Sequence, residues 1–176
     1  MIRRRRAIVP IDTRILLRHA NAGSRSAWAG ADEWRGLSPL GHTQAAELSR
    51  RLDGRPILRV LSSPSLRCRQ TVVPLARALS VDVELCRQLS SAASGPDLAR
   101  FLAEPESDGA LLCTHRETLE ALFAHLTLAG TVGLGNPEPS GPMEYAAAWI
   151  LDGAGPGPGA RLRHLSTGPS QVGVVS

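Results

Sequence analysis

The chain predicts an α/β fold, a three-layer α/β/α sandwich around a mostly parallel central sheet. Three observations carry that reading. Short apolar runs alternate with amphipathic segments of helical period from Thr13 to about Ala129. Helix-start signals stand ahead of the amphipathic segments, as in Ser38-Pro39 and Ser94-Gly95-Pro96-Asp97. The length, 176 residues with 43% hydrophobic and 20% charged, suits one domain with a sizeable core.

The elements follow in order. Thr13 to Arg18 is a strand, with Ile15, Leu16 and Leu17 as its apolar run. A polar, glycine-bearing loop spans Ala20 to Leu37. Ser38 is then an N-cap with proline at the first helical position, and the helix runs to about Arg51 with Ala45, Leu48 and Leu52 on one side. Ile57 to Ser62 is the second strand. A helix from Ser65 to Leu79 buries Val72, Leu75, Ala76 and Leu79, and Pro74 inside it is expected to kink or restart it. Val81 to Leu85 is the third strand, and the Ser94 capping box opens a short helix to about Ala103. Gly109 to Thr114 is a strongly apolar strand, followed by an amphipathic helix from Thr118 to Ala129. Gly and Pro then punctuate 131–142. Tyr145 to Leu151 and Arg161 to Leu165 are expected as two antiparallel strands around a Gly/Pro-rich turn at 153–159. The domain organisation expected is a basic tail at 1–12, one domain at 13–166 and a tail at 167–176.

Composition closes several routes. The net charge of +4 is carried by arginine alone, since the chain holds no lysine, which removes Schiff-base chemistry and the Walker-type phosphate loop. Arginine still supplies planar forks suited to phosphate. Three cysteines, Cys68, Cys86 and Cys113, are odd in number and lack a Cys-x-x-Cys spacing, so they read as small buried residues rather than a disulfide framework or zinc site. No run of 18 apolar residues exists and no apolar stretch follows Arg3 to Arg6, so neither a membrane span nor a secretory signal is expected, and a cytoplasmic location is. With only 3% aromatics and no nucleic-acid motif, the arginine run reads as a solvated tail, and no nucleic-acid partner is expected.

In a parallel α/β sheet, sites gather beyond the carboxyl ends of the strands. After the first strand come Arg18 and His19, after the second Ser62 to Arg67, and after the fourth His115. A sheet that sets these ends side by side collects two imidazoles and two guanidiniums. Arginine forks pair bidentately with phosphate oxygens, and an imidazole can act as nucleophile.

The residues also carry a resemblance. Leu16-Leu17-Arg18-His19-Ala20 resembles the Arg-His-Gly signature of the histidine phosphatase, or phosphoglycerate-mutase-like, superfamily. Leu37 to Ala45 resembles that family's helix start, and Ser62-Ser63-Pro64-Ser65-Leu66-Arg67-Cys68-Arg69-Gln70-Thr71 its Ser-Ser-Pro-x-x-Arg-x-x-Gln-Thr element. Leu111 to His115 is similar to its apolar strand ending in the second histidine. The short spacing between motifs resembles the compact branch, which holds small bacterial phosphohistidine phosphatases and the phosphatase-like domain fused to some Nudix hydrolases.

The resemblance implies a metal-independent phosphatase without cofactor. His19 would attack phosphorus and carry the phosphoryl group, while Arg18, Arg67 and His115 hold the equatorial oxygens, with His115 as a charged donor. A neutral His19 needs a backbone carbonyl on its other ring nitrogen. Arg25, Arg35 and Thr114 are further candidates for the substrate. The family's general-acid carboxylate after the third strand has no counterpart in Leu89 to Ala93, which leaves Glu84 or Glu117 as substitutes. Phosphoramidates need less acid help because their nitrogen protonates readily. The expected substrate is therefore a phosphohistidine in a protein. The alternatives are a small phosphate ester, such as a sugar phosphate or nucleotide, and a weak phosphate-binding module. Arg116 stands where the family often has glycine.

Overall fold

Seven strands form one sheet, in the computed structural model that describes residues 12–130, 132–134, 143–153, 155–157 and 160–165. They are β1 (Thr13–Arg18), β2 (Arg59–Ser62), β3 (Val83–Leu85), β4 (Ala110–Thr114), β5 (Val132–Leu134), β6 (Ala148–Asp152) and β7 (Ala160–Leu165). Their order across the sheet is β3-β2-β4-β1-β6-β7-β5. All pairings are parallel except those of β6 with β1 and β7. The expected tails, apart from Asp12, lie outside the described residues.

Strand alternation sorts the core into two layers. Ile15, Leu17, Val60, Leu111, Cys113 and Ile150 face α1 (Pro39–Arg51) and α2 (Leu66–Leu79), where Leu48, Leu52, Val72 and Leu75 complete the cluster. Leu16, Leu61, Leu112, Trp149, Leu151 and Leu162 face α3 (Gly95–Leu102) and α4 (Arg116–Leu128), against Leu98, Leu102, Leu119, Leu122 and Leu126. Each fully buried leucine contributes about 1.5–3 kcal/mol through removal of apolar surface from water. The expected α/β/α sandwich is the observed one.

Register places the site. Arg18 lies beside Thr114, and Ser62 beside Cys113, so β1, β2 and β4 end close to one level. The chain holds that level one residue further: the His19 amide donates to the Thr114 carbonyl at 3.0 Å and the Ser63 amide to the Cys113 carbonyl at 2.9 Å.

The structure departs from the expected elements at Pro74, at the start of β6 and at β5. Pro74 neither breaks nor restarts α2, which is one helix from Leu66 to Leu79. A proline removes only one backbone donor, and the burial of Val72, Leu75 and Ala76 against the sheet outweighs that loss. The helix ends at Leu79 as expected, with Ser80 as its C-cap in the left-handed region at φ 57°. β6 starts at Ala148 rather than Tyr145, because 143–147 wrap over the site. β5 was not expected at all; three residues with a central glycine give almost no strand signal.

Candidate active site

The loop after β1 is laced to the helices by side chains of the Gln-Ala and Gln-Thr motifs. Thr71 Oγ1 accepts from the Ala20 amide at 3.0 Å, Gln44 Oε1 from the Asn21 amide at 2.8 Å, and Gln70 Oε1 from the Leu37 amide at 2.8 Å. Ser38 caps α1, accepting from the Gly41 amide at 3.1 Å while donating to Asn21 Oδ1 at 2.7 Å. Gly41 must be glycine: a Cβ there would lie 1.9 Å from the Asn21 carbonyl oxygen. These contacts explain the motif residues that do no chemistry themselves. They fix the backbone that carries Arg18 and His19.

Two imidazoles and two guanidiniums meet at the ends of β1, β2 and β4. The rings of His19 and His115 lie 5.4 Å apart, edge to face at 68°. His19 Nδ1 is 2.8 Å from the Ala20 carbonyl oxygen. A carbonyl only accepts, so Nδ1 carries the hydrogen and the Nε2 lone pair is free. Burial lowers the His19 pKa to about 3; the Ala20 carbonyl opposes this, and the neighbouring His115, Arg67 and Arg18 add to it. The ring is neutral across the physiological range, as a nucleophile requires.

His115 is fully buried. Arg67 Nη2 approaches its Nδ1 at 3.2 Å, and Ser63 Oγ lies 2.9 Å from its Nε2. A guanidinium has no acceptor, so Nδ1 accepts and the ring hydrogen sits on Nε2, donated to Ser63. This differs from the charged donor expected of His115: with Arg67 against it, His115 is an acceptor on the side facing the guanidinium. Cys68 Sγ lies 3.7 Å from the same Nε2, and all three cysteines are free and buried.

Asp32 holds Arg67. Its carbonyl accepts from Nη1 at 2.7 Å and its carboxylate pairs with Nη2 at 3.0 Å. Burial works against ionisation of Asp32, but Arg35, Arg67 and Arg25 outweigh it and hold the carboxyl below its usual range. Arg18 is held differently. Its Nη1 donates to the Met143 carbonyl and its guanidinium carbon lies 3.9 Å above the centre of the Tyr145 ring. The Nε–H groups of both Arg18 and Arg67 are buried without a hydrogen-bond partner among the described residues. Unsatisfied buried donors are costly, by about 1–3 kcal/mol each, until an acceptor reaches them.

Three of the other candidates, Arg35, Thr114 and Glu84, have their polar groups engaged elsewhere. Arg35 donates to Asp32 at 2.8 Å and to the Ala22 carbonyl at 2.9 Å, so it braces the loop. Arg25 is largely exposed and lies 3.7 Å from Asp32. Thr114 is buried, with its hydroxyl donated to the Leu89 carbonyl at 2.6 Å. Glu84 is paired with Arg59 at 2.5 Å, which fixes it on the β2–β3 edge away from the imidazoles. Glu117 is exposed on the first turn of α4, close enough for its charge to act on Arg18. The sequence reading missed Ser63, Asp32, Tyr145 and Glu144. Glu144, with Arg18, Gln44, Arg116, Met143 and Tyr145, lines a mouth pocket of about 410 Å³. Among the described residues no group of three or more His, Cys, Asp or Glu could hold a metal ion, and no helix is long and apolar enough to cross a membrane.

The depressed pKa of His19 sets a pH dependence. Its folded value lies below the ordinary 6.5, so the folded state binds fewer protons than the unfolded state between about 3 and 6.5. The contribution of neutral His19 to stability is present above pH 6.5 and is lost as the pH falls towards 3. Denaturant titrations of the wild type should therefore show a slope up to about 1.4 kcal/mol per pH unit steeper in that window than those of a His19→Ala variant. Parallel curves would contradict a buried neutral imidazole.

Comparison with known proteins agrees with this geometry. Residues 15–97 match the family model of the histidine phosphatase superfamily, branch 1. A 72-residue stretch is 38% identical to the 8-oxo-(d)GTP phosphatase of Mycolicibacterium smegmatis, covering 40% of this chain and spanning 22% of that relative's length. The fold is similar to the SixA protein from Agrobacterium tumefaciens, a candidate phosphohistidine phosphatase, with a TM-score of 0.65 and 28% identity over 90% of this chain and 99% of the other. It is also similar in fold to a mycobacterial glucosyl-3-phosphoglycerate phosphatase, with a TM-score of 0.62 and 20% identity over 87% of this chain and 97% of the other. Motifs, sheet order and the match over residues 15–97 together make this chain similar to the histidine phosphatase superfamily.

Proposed function

We propose that the chain is a phosphatase that works through a phosphohistidine at His19. The observation that carries this reading is the pairing of a neutral, tautomer-fixed imidazole with two arginines whose buried Nε–H groups lack partners. His19 Nε2 attacks phosphorus in line, and the bond from phosphorus to the leaving group breaks. Arg18 and Arg67 take the equatorial oxygens, where charge spreads in the transition state, and His115 backs Arg67 through its Nδ1. Water then attacks the phosphohistidine, returning phosphate and neutral His19. Fixed donors in a buried site serve here because they need no reorganisation as the charge develops. None of these steps calls on a metal ion or a cofactor.

The substrate proposed first is a phosphohistidine in a protein, in a cytoplasmic setting. Its support is the likeness to the SixA protein and the lack of a carboxylate between Leu89 and Ala93. A phosphoramidate nitrogen protonates without a strong acid nearby. The second reading, a small phosphate ester, is favoured by the mouth pocket, whose roughly 410 Å³ is of the size that takes a small leaving group and which Glu144 lines together with Arg18.

Kinetic assays with chelator present separate them. A phosphohistidine protein, a sugar phosphate, a nucleotide and p-nitrophenyl phosphate are compared by kcat/KM. The first reading expects the phosphoprotein to exceed the small esters by tenfold or more. The reverse order transfers the assignment to small esters. Binding of phosphate with no turnover of any substrate leaves a phosphate-binding module. Loss of turnover on chelation contradicts the metal-free mechanism.

A further inference from the structure

We infer that Tyr145 is a positioning residue for Arg18, its ring face holding the guanidinium in place for the phosphoryl group without neutralising it. The inference rests on the phosphate-binding role proposed for Arg18, and deepens it.

The two arginines of the site are held by different means. Arg67 has a carboxylate on it, Asp32 at 3.0 Å. Among the described residues Arg18 has no ion-paired carboxylate; its contacts are the Met143 carbonyl and the Tyr145 ring, 3.9 Å away. An aromatic face attracts a cation through its quadrupole and carries no net charge. Arg67 shares its charge with Asp32, whereas Arg18 keeps its charge for an incoming anion. Burial disfavours the charged form of Arg18, with the phenol of Tyr145 acting in the opposite direction.

The backbone commits Tyr145 to this place. The Arg18 amide donates to the Ala147 carbonyl at 2.9 Å, and the Ala146 amide to the His19 carbonyl at 3.3 Å. Ala146 sits at φ 61°, in the left-handed region that a residue with a Cβ rarely adopts. That turn brings Tyr145 back over β1, where its ring also lies 5.9 Å from the ring of His19. Tyr145 is the chain's single tyrosine, and it borders both Arg18 and the mouth pocket.

The test compares Tyr145→Phe, which keeps the face, with Tyr145→Leu, which removes it, in the wild type and in an Arg18→Gln background. The probe is inorganic phosphate, with affinity read by calorimetry. The kcat and KM for p-nitrophenyl phosphate are measured alongside. Tyr145→Leu should weaken phosphate binding about tenfold, the scale of a desolvated cation–π contact, and Tyr145→Phe should stay within about twofold. In the Arg18→Gln background the leucine variant should change affinity by less than about twofold, because the partner is gone. If Tyr145→Leu does not fold, Tyr145→Met keeps the bulk without a π face and serves in its place. Wild-type affinity in the leucine variant, an equal loss with and without Arg18, or a phenylalanine variant as weak as leucine would each overturn the assignment. Phosphate affinity is read without turnover, so a chain that binds phosphate but never becomes phosphorylated sinks the phosphatase reading and leaves this one testable.

Discussion

Replacing His19 by alanine is expected to lower kcat for p-nitrophenyl phosphate by at least about 10⁴-fold, the scale on which loss of a nucleophile acts in other hydrolases. The reason is chemical rather than steric. Among the groups gathered here, His19 has a ring nitrogen that is neutral and free of a hydrogen-bond partner, because Nδ1 is tied to the Ala20 carbonyl and burial keeps the ring unprotonated. His115 does not take over, since both of its nitrogens are engaged by Arg67 and Ser63. Arg18 and Arg67 keep their own anchors in the variant, so phosphate affinity should change far less than kcat. Steady-state kinetics and phosphate titration check both halves of the expectation. A His19→Ala enzyme within a hundredfold of the wild type would place the nucleophile elsewhere.

Arg67→Ala carries the second largest effect, a fall in kcat of about 10²–10³-fold, or roughly 3–4 kcal/mol, on the scale of one lost oxyanion donor. Three consequences combine at this position. The transition state loses a guanidinium, His115 loses its neighbour at Nδ1, and Asp32 loses the partner that ties the β1–α1 loop to α2. Arg67→Lys should recover only part of the loss, since an ammonium cannot span the Asp32 carbonyl, its carboxylate and His115 together. Full recovery by lysine would show that only net charge matters there.

Much of this site was legible in the sequence, for a definite reason. Parallel strands deliver the residue after each carboxyl end to one edge, so locating β1, β2 and β4 already assembled Arg18, His19, Arg67 and His115. What the pattern could not show was which other groups close around them. Asp32 reaches Arg67 across 35 positions of sequence, and Tyr145 reaches Arg18 from a segment read as strand. Both depend on loop paths set by individual hydrogen bonds rather than by periodicity. Arg35 illustrates the converse. A loop arginine near a phosphate site looks like a ligand in sequence, but two loop carbonyls and Asp32 had the first claim on its donors. Glu84, a candidate substitute for the missing acid, is paired with Arg59 of the neighbouring strand β2, a contact that the pattern along the chain does not show.

The central claim is that His19 accepts a phosphoryl group. Rapid-quench labelling with a phosphoryl donor carrying radioactive phosphorus, in the presence of chelator, addresses it directly. The account predicts a protein-bound label within one turnover, stable to base and labile to acid, located on His19 by peptide mass spectrometry and missing from His19→Ala. Turnover without such a label, or a label that survives the His19→Ala substitution, would contradict it.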